Sequence, residues 1–208
     1  MKVMKKNIFL MAFVLLFTCI YVNAQTPRGA VADKSAPGGY YFPLLCGIDV
    51  AGADVEVDQT KNWSDVCDPQ DLLAVKPRVN ETAPVNPCPK GWALPTEKQL
   101  REIADSLNWV VDPAAPKKPG DDYFYWKMKG GERSNGDIFG AEFGKIEVWI
   151  LSSETRGRAE DSVWRLVVNR SSSPRVGVSS TPRTRPFVFT NDKGRKFYST
   201  LRCVRAAE

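Results

Sequence analysis

The stretch that decides the fold is Asn86–Ile103, NPCPKGWALPTEKQLREI. Pro87 and Pro89 disfavour helix and hold the backbone extended around Cys88. Gly91 permits a turn, and Trp92 offers a large apolar anchor. Thr96 and Gln99 then stand at capping-box spacing: the Thr hydroxyl accepts from the Gln99 amide, and the Gln side chain reaches back. Leu100, Ile103, Ala104 and Leu107 follow at i, i+3, i+4 and i+7, one apolar stripe of a helix over about 96–108. The stretch thus places a cysteine immediately ahead of an amphipathic helix.

Working outward, the chain begins with Lys2, Lys5 and Lys6, an apolar run from Ile8 to Tyr21, and Val22-Asn23-Ala24. This is the pattern of a signal peptide over 1–24, cut before Gln25. The run is too short to favour a membrane span. Leu16–Cys19 faintly resembles a lipobox, but Thr18 suits it poorly and apolar character continues past Cys19, so a lipid anchor is not expected. The expected location is outside the cytoplasm: periplasm, cell surface or medium.

Of five cysteines, Cys46, Cys67, Cys88 and Cys203 survive removal of the signal. An even number in an exported chain reads as two disulfides, with three connectivities open. A zinc site is disfavoured because no two cysteines are closely spaced and the chain has no histidine. The same absence excludes a Ser-His-Asp triad, a Cys-His dyad and any His-ligated metal. Charge is split along the chain. From Arg156 to Arg205 there are twelve Lys and Arg against three Asp and Glu; from Gln25 to Thr155, fourteen against twenty. The two halves could attract one another within the fold or present two faces. Export and the lack of any nucleic-acid motif argue against nucleic acid; an anionic glycan or an acidic partner surface suits the basic half better.

Residues 25–39 read as a flexible lead-in and 40–83 as an N-terminal strand and loop region. Tyr40–Leu45 is apolar enough for a buried strand, and Asp54–Asp58 alternates acid with valine as a strand with one wet face. One strand face cannot wrap a calcium ion, so those carboxylates read as solvated. Residues 63–84 look irregular, and Asp112–Asp122 is a Pro-rich loop. Further strands are expected at Tyr123–Met128, Ile146–Ser152, Ser162–Val168, Arg175–Ser179 and Phe197–Arg205. In the last, Phe197, Ser199, Leu201 and Cys203 share one face. The class is α+β, with one main helix and short antiparallel strands.

The opening stretch resembles the "CP-x-GW-x-x-PT" start of the FISUMP family, the major paralogous domain of secreted bacterial proteins. "YSTLRCVR" (Tyr198–Arg205) is similar to that family's closing strand. "WILSSE" (Trp149–Glu154), "VWRLVV" and "VGVSS" resemble strands between them. The likeness covers about 84–208 and leaves 25–83 unmatched. It implies a C-type-lectin-like mixed fold in which Cys88 joins Cys203, and Cys46 then pairs with Cys67.

What the resemblance implies chemically must be tested on residues. Calcium-dependent sugar binding needs a Glu-Pro-Asn or Gln-Pro-Asp triplet, which is absent, and Asn191-Asp192 reads as a turn. Formylglycine-generating chemistry needs a reactive cysteine pair near the C-terminus, and Cys203 stands there alone. Glu97, Glu102 and Asp105 could serve acid–base chemistry but read as a solvated helix face. Tyr123, Tyr125 and Trp126, beside the Pro-rich loop, are the candidate exposed aromatics for ligand contact. Arg183 and Arg185, in TPRTRP, could grip an anion. Ser106 and Ser162, in Asp-Ser-Leu and Asp-Ser-Val, resemble bacterial O-glycosylation acceptors. No cofactor or metal is expected. The expectation is a non-catalytic secreted or cell-surface binding and adhesion module that recognises a glycan or protein partner through loops. The alternative is an exported, carboxylate-dependent enzyme acting on polysaccharide.

Overall fold

The computed structural model describes residues 26–67, 85–109, 124–131, 133–134, 138, 147–156, 162–169 and 175–207. The expected signal peptide, the Pro-rich loop and Tyr123 lie outside them. In chain order the described part begins with β1 (Val31–Ala32), β2 (Tyr40–Pro43), β3 (Ile48–Asp54), α1 (Trp63–Cys67) and α2 (Glu97–Asp105). Then come β4 (Leu107–Trp109), β5 (Phe124–Trp126), β6 (Arg133–Ser134), β7 (Glu147–Thr155) and β8 (Ser162–Asn169). The chain closes with β9 (Arg175–Pro182), β10 (Val188–Thr190), β11 (Lys196–Thr200) and β12 (Arg202–Ala206). The class is α+β, dominated by strands. They form a four-stranded sheet ordered β1-β2-β3-β12, a five-stranded sheet ordered β10-β11-β7-β8-β9 and a three-stranded sheet β4-β5-β6. All pairs are antiparallel except β11 with β7.

The five-stranded sheet organises the core because its strands carry apolar residues on both faces. Val148 and Ile150 of β7 and Leu166 and Val168 of β8 meet Leu100 and Ile103 of α2, with Phe42, Val50 and Trp126 in the same cluster. Trp149, Leu151 and Val163, pointing the other way, meet Trp63 and Cys67 of α1, Leu94, Phe187, Phe197 and Leu201. The segment before residue 84 therefore contributes to both sides of this sheet. Trp63 is buried and its indole N–H donates to the Ser152 carbonyl at 2.9 Å.

The helix starts as its sequence predicts. Thr96 Oγ1 accepts from the Gln99 amide at 3.2 Å, and Gln99 Oε1 accepts from the Thr96 N–H at 3.0 Å. Replacing Thr96 by alanine removes one half of this box and is expected to lower stability by about 1 kcal/mol, read as a shifted denaturant midpoint with an unchanged slope. The helix stops earlier than expected. It ends at Asp105, where the Ser106 N–H and hydroxyl both turn back to the Glu102 carbonyl. Leu107 keeps its place against the core, but from a strand paired with β5.

Other expectations are corrected by pairing. The alternation at Asp54–Asp58 survives as burial, with Val55 and Val57 against the core and Glu56 and Asp58 exposed. The ladder itself runs upstream, over Ile48–Asp54, because Gly47 (φ +80°) closes a tight turn back from β2. The closing strand is two strands. Phe197, Ser199, Leu201 and Cys203 all point inward as expected, but β11 pairs with β7 and β12 with β3, so the chain changes sheet at Leu201. The supposed lead-in is built in as well: β1 pairs with β2, Ala36 is buried and Asp33 reaches β12.

Among the described residues one disulfide is present where two were expected. Cys88 and Cys203 are joined, with Cα atoms 5.9 Å apart. Cys46 does not pair with Cys67. Cys46 is exposed on the β2–β3 turn, near the α2 side of the five-stranded sheet, whereas Cys67 is buried on the opposite side with Trp63 and Trp149. The sheet separates the two sulfurs.

Candidate functional site

The acidic front half and basic back half attract one another at β12. Arg205 sends Nη1 to Asp33 (2.7 Å) and Nε to Asp49 (3.1 Å), and its guanidinium lies over Tyr41 (4.6 Å) and Trp92 (4.5 Å). Arg202, only 3% exposed, donates to Asp54 (2.6 Å) and to the carbonyls of Ala51 and Ile138 (2.9 Å each). These contacts lock the terminal strand onto the N-terminal hairpin around the Cys88–Cys203 bond, and we read them as structural.

They also set a pH dependence. Hydrogen bonds from the Ser35 hydroxyl and amide, with help from Arg205, hold the Asp33 carboxyl below its ordinary value of 3.8. The Thr60 amide and hydroxyl do the same for Asp58. A carboxyl whose folded pKa is depressed binds fewer protons in the native state, so it favours folding above the ordinary value. That contribution is lost as pH falls through the folded pKa. Acid titration of the unfolding midpoint should show stability falling as pH drops below the ordinary carboxyl value of 3.8. Asp33→Asn should be less stable at neutral pH and show a shallower acid loss.

A second set of basic residues remains on the five-stranded sheet. On the face that carries Trp149, Arg165 of β8 lays its guanidinium 3.4 Å from the Trp149 ring centre, and its Nε donates to Ser179 of β9 (2.9 Å). Arg185, in the β9–β10 connection, lies 4.7 Å from the Phe189 ring and 6.0 Å from Trp149. Trp149, Phe189 and Phe197 pack together, the two phenyl rings stacked at 4.9 Å. The turn that positions Arg185 is held by its own N–H to the Pro182 carbonyl, and by the Arg183 carbonyl accepting from the Ser64 amide. Two guanidiniums thus cap the buried Trp149 indole; Arg165 is committed through Nε to Ser179, and Arg185, beside half-buried Phe189, is the one whose forked N–H donors suit an anion. A Cβ at Gly177, next to Val167 in register, would meet nothing within 4 Å, so this face has open space beside the arginines. Among the described residues Arg156, Arg185, Lys193, Arg195 and Lys196 form no ion pair, in contrast to Arg202 and Arg205.

The sequence-derived candidates are scattered. Arg185 falls on this surface; Arg183 stands in the same turn, where its carbonyl accepts from the Ser64 amide. Trp126 does not fall there: it is fully buried and presents nothing to a ligand, because its face of β5 packs into the cluster of Leu100, Ile103, Phe42 and Val50. Tyr125 belongs to β5, and its side chain is outside what the structure describes. Ser106 is buried with its hydroxyl committed to the helix end, which corrects its reading as a glycan acceptor. Ser162 is half-buried at the start of β8. Trp149, one of six tryptophans that by size and chemistry could either stack on a sugar or fill the core, is buried, and Arg165 and Phe189 are not marked by any motif. The available signal was a lone arginine between Val163 and Val167 on one face of a strand.

Among the described residues carboxylates do not assemble comparably. Glu97 is held by Arg101 (2.6 Å), Glu102 faces Lys98 (3.8 Å), and Glu154 accepts from the first-turn amide of Glu97 (2.7 Å). Glu102 and Asp105 line an open depression of about 330 Å³ with Leu45, Cys46, Ser106 and Lys127, but both stand on the same helix. Among the described residues no three Cys, Asp or Glu converge on a metal position, and no helix is long and apolar enough to cross a membrane. Set against protein-family models, curated proteins and solved structures, the chain matches none of them.

Proposed function

We propose that this chain is an exported, non-catalytic recognition module of C-type-lectin-like, FISUMP-related design. It holds an acidic glycan on the Arg165–Arg185–Trp149 face of its five-stranded sheet. The observation that carries the reading is the pair of guanidiniums on one indole, with Arg185 free of any carboxylate among the described residues. Sugars bearing carboxylate or sulfate groups offer both an anion for the guanidinium forks and C–H faces for Phe189. Export is supported by the Cys88–Cys203 bond, which persists in oxidising compartments. The lectin-like reading is supported by that same tie between the start of the helical segment and the last strand.

The rival reading, a polysaccharide-cleaving enzyme, needs two carboxyls facing across a cleft. Glu102 and Asp105, on one helix, do not supply that geometry. The test is binding of the secreted protein to immobilised heparin, polygalacturonate and dextran, with and without calcium. Binding to the acidic polymers but not to dextran is expected, independent of calcium. Arg183→Glu with Arg185→Glu should weaken it about tenfold or more, since charge-assisted contacts are lost and like charges introduced. Silence towards both acidic polymers would redirect the search to a protein partner; release of reducing ends would restore the enzyme.

A further inference from the structure

The five-stranded sheet ends at β9, and the outer edge of that strand is unusual. β9 spans eight residues and, among the described residues, pairs only with β8, in unbroken register from Ser162–Pro182 to Asn169–Arg175. Edge strands are ordinarily blunted by mid-strand charge, proline or a bulge. Val176–Thr181 has none of these; its arginine and proline sit at the two ends. The Pro182 carbonyl accepts from Arg185, but the outward backbone groups of Val176–Thr181 have no partner among the described residues.

Both faces beside this edge end in an arginine anchored on β9 itself. On one face Arg165 Nε donates to Ser179 Oγ (2.9 Å) and stacks on Trp149. On the other, Arg156 Nη1 donates to Ser180 Oγ (2.8 Å) and stacks 5.2 Å from the Trp164 ring centre. Each serine accepts from a guanidinium, which leaves its own O–H to donate outward. An added strand would run one ladder spacing beyond β9 and send its side chains alternately to the two faces. On the Trp164 face its acidic residues would meet the exposed Arg156 guanidinium and the Ser180 hydroxyl; on the other they would meet the Ser179 hydroxyl that Arg165 orients. A second copy of this chain fits worse, because pairing β9 with itself would bring like-charged arginines together on both faces.

We propose that the outer edge of β9 is a docking site for an extended acidic segment of a partner protein, which adds to the sheet as a sixth strand. This inference does not rest on the glycan reading. The probes are three end-blocked peptides about as long as β9: one alternating Glu and Thr, one alternating Lys and Thr, and the Glu peptide N-methylated at every second amide. The Glu peptide should bind on the order of tenfold tighter than the Lys peptide, and should slow amide exchange within Val176–Thr181. N-methylation should abolish both effects. Arg156→Glu, at an exposed position, should leave the fold intact and narrow or reverse the charge preference. Equal binding of the Glu and Lys peptides, retention of binding after N-methylation, or binding with no change in exchange along β9 would each overturn the proposal.

Discussion

Replacing Cys88 and Cys203 together by serine is expected to lower the stability of this protein by about 4–5 kcal/mol. The bond closes a loop of 115 residues, so it removes a large share of the unfolded chain's freedom. It also sits inside the structure: Cys203 is fully buried with Ala36, Ala51 and Trp92, the Trp92 of the opening stretch. For a chain of this size the unfolding midpoint should fall by roughly 10–20 °C. The double substitution is the right comparison, since a single one would leave a thiol able to exchange with Cys46. Cys46→Ser, at an exposed turn, should shift stability by no more than about 0.5 kcal/mol. Calorimetry of the two variants decides the matter. A loss below about 1 kcal/mol for the double variant would mean that the charge pairs at Arg202 and Arg205 alone hold β12 in place.

A chain beginning at residue 85 should fail to fold cooperatively. The boundary near residue 84 marks where the family likeness starts, but the physical unit does not begin there. Without β1–β3, the terminal strand β12 loses its ladder, Arg202 loses Asp54, Arg205 loses Asp33 and Asp49, and Phe42, Val50, Trp63 and Cys67 leave the two large clusters. Arg202, buried in the full chain, would lose the Asp54 carboxylate and the Ala51 carbonyl to which it donates. Because truncation also removes many contacts at once, Trp63→Ala in the full chain is the sharper measurement. It should cost about 3–5 kcal/mol through the cavity beside Trp149, Phe187 and Leu201 and the lost bond to the Ser152 carbonyl. Retention of a sharp, native-like transition by the shortened chain would show that residues 26–67 are an accessory rather than half of the core.

These two expectations come from different levels. The cysteine ahead of the helix and the cysteine near the C-terminus are visible in the sequence, and the family likeness paired them. The role of Trp63 was not visible, since 63–84 reads as irregular. A five-residue helix carries too little periodicity to announce itself, and its burial depends on the Trp149 face of a sheet more than eighty residues downstream. The same holds for the candidate site. Arg183 and Arg185 could be picked from a short basic run. Arg165 could not, because its meaning depends on Trp149 across one strand and Ser179 across the other.

What the sequence by itself determined are the features closed by a few neighbouring residues. The Thr96–Gln99 box starts α2. Asn191 accepts from the amides of Lys193 and Arg195, and Gly194 (φ +72°) completes the turn between β10 and β11. The period-two pattern turned Phe197 and Ser199 of β11 inward. Only the tertiary structure decided that the closing strand divides at Leu201, that Cys46 and Cys67 stand on opposite sides of a sheet, that Trp126 is buried, and that arginines lie on tryptophans at β9. The reason is one of range. Caps, turns and alternation are satisfied by backbone groups within a few residues, whereas strand partners and burial depend on which apolar faces meet once the whole chain has collapsed.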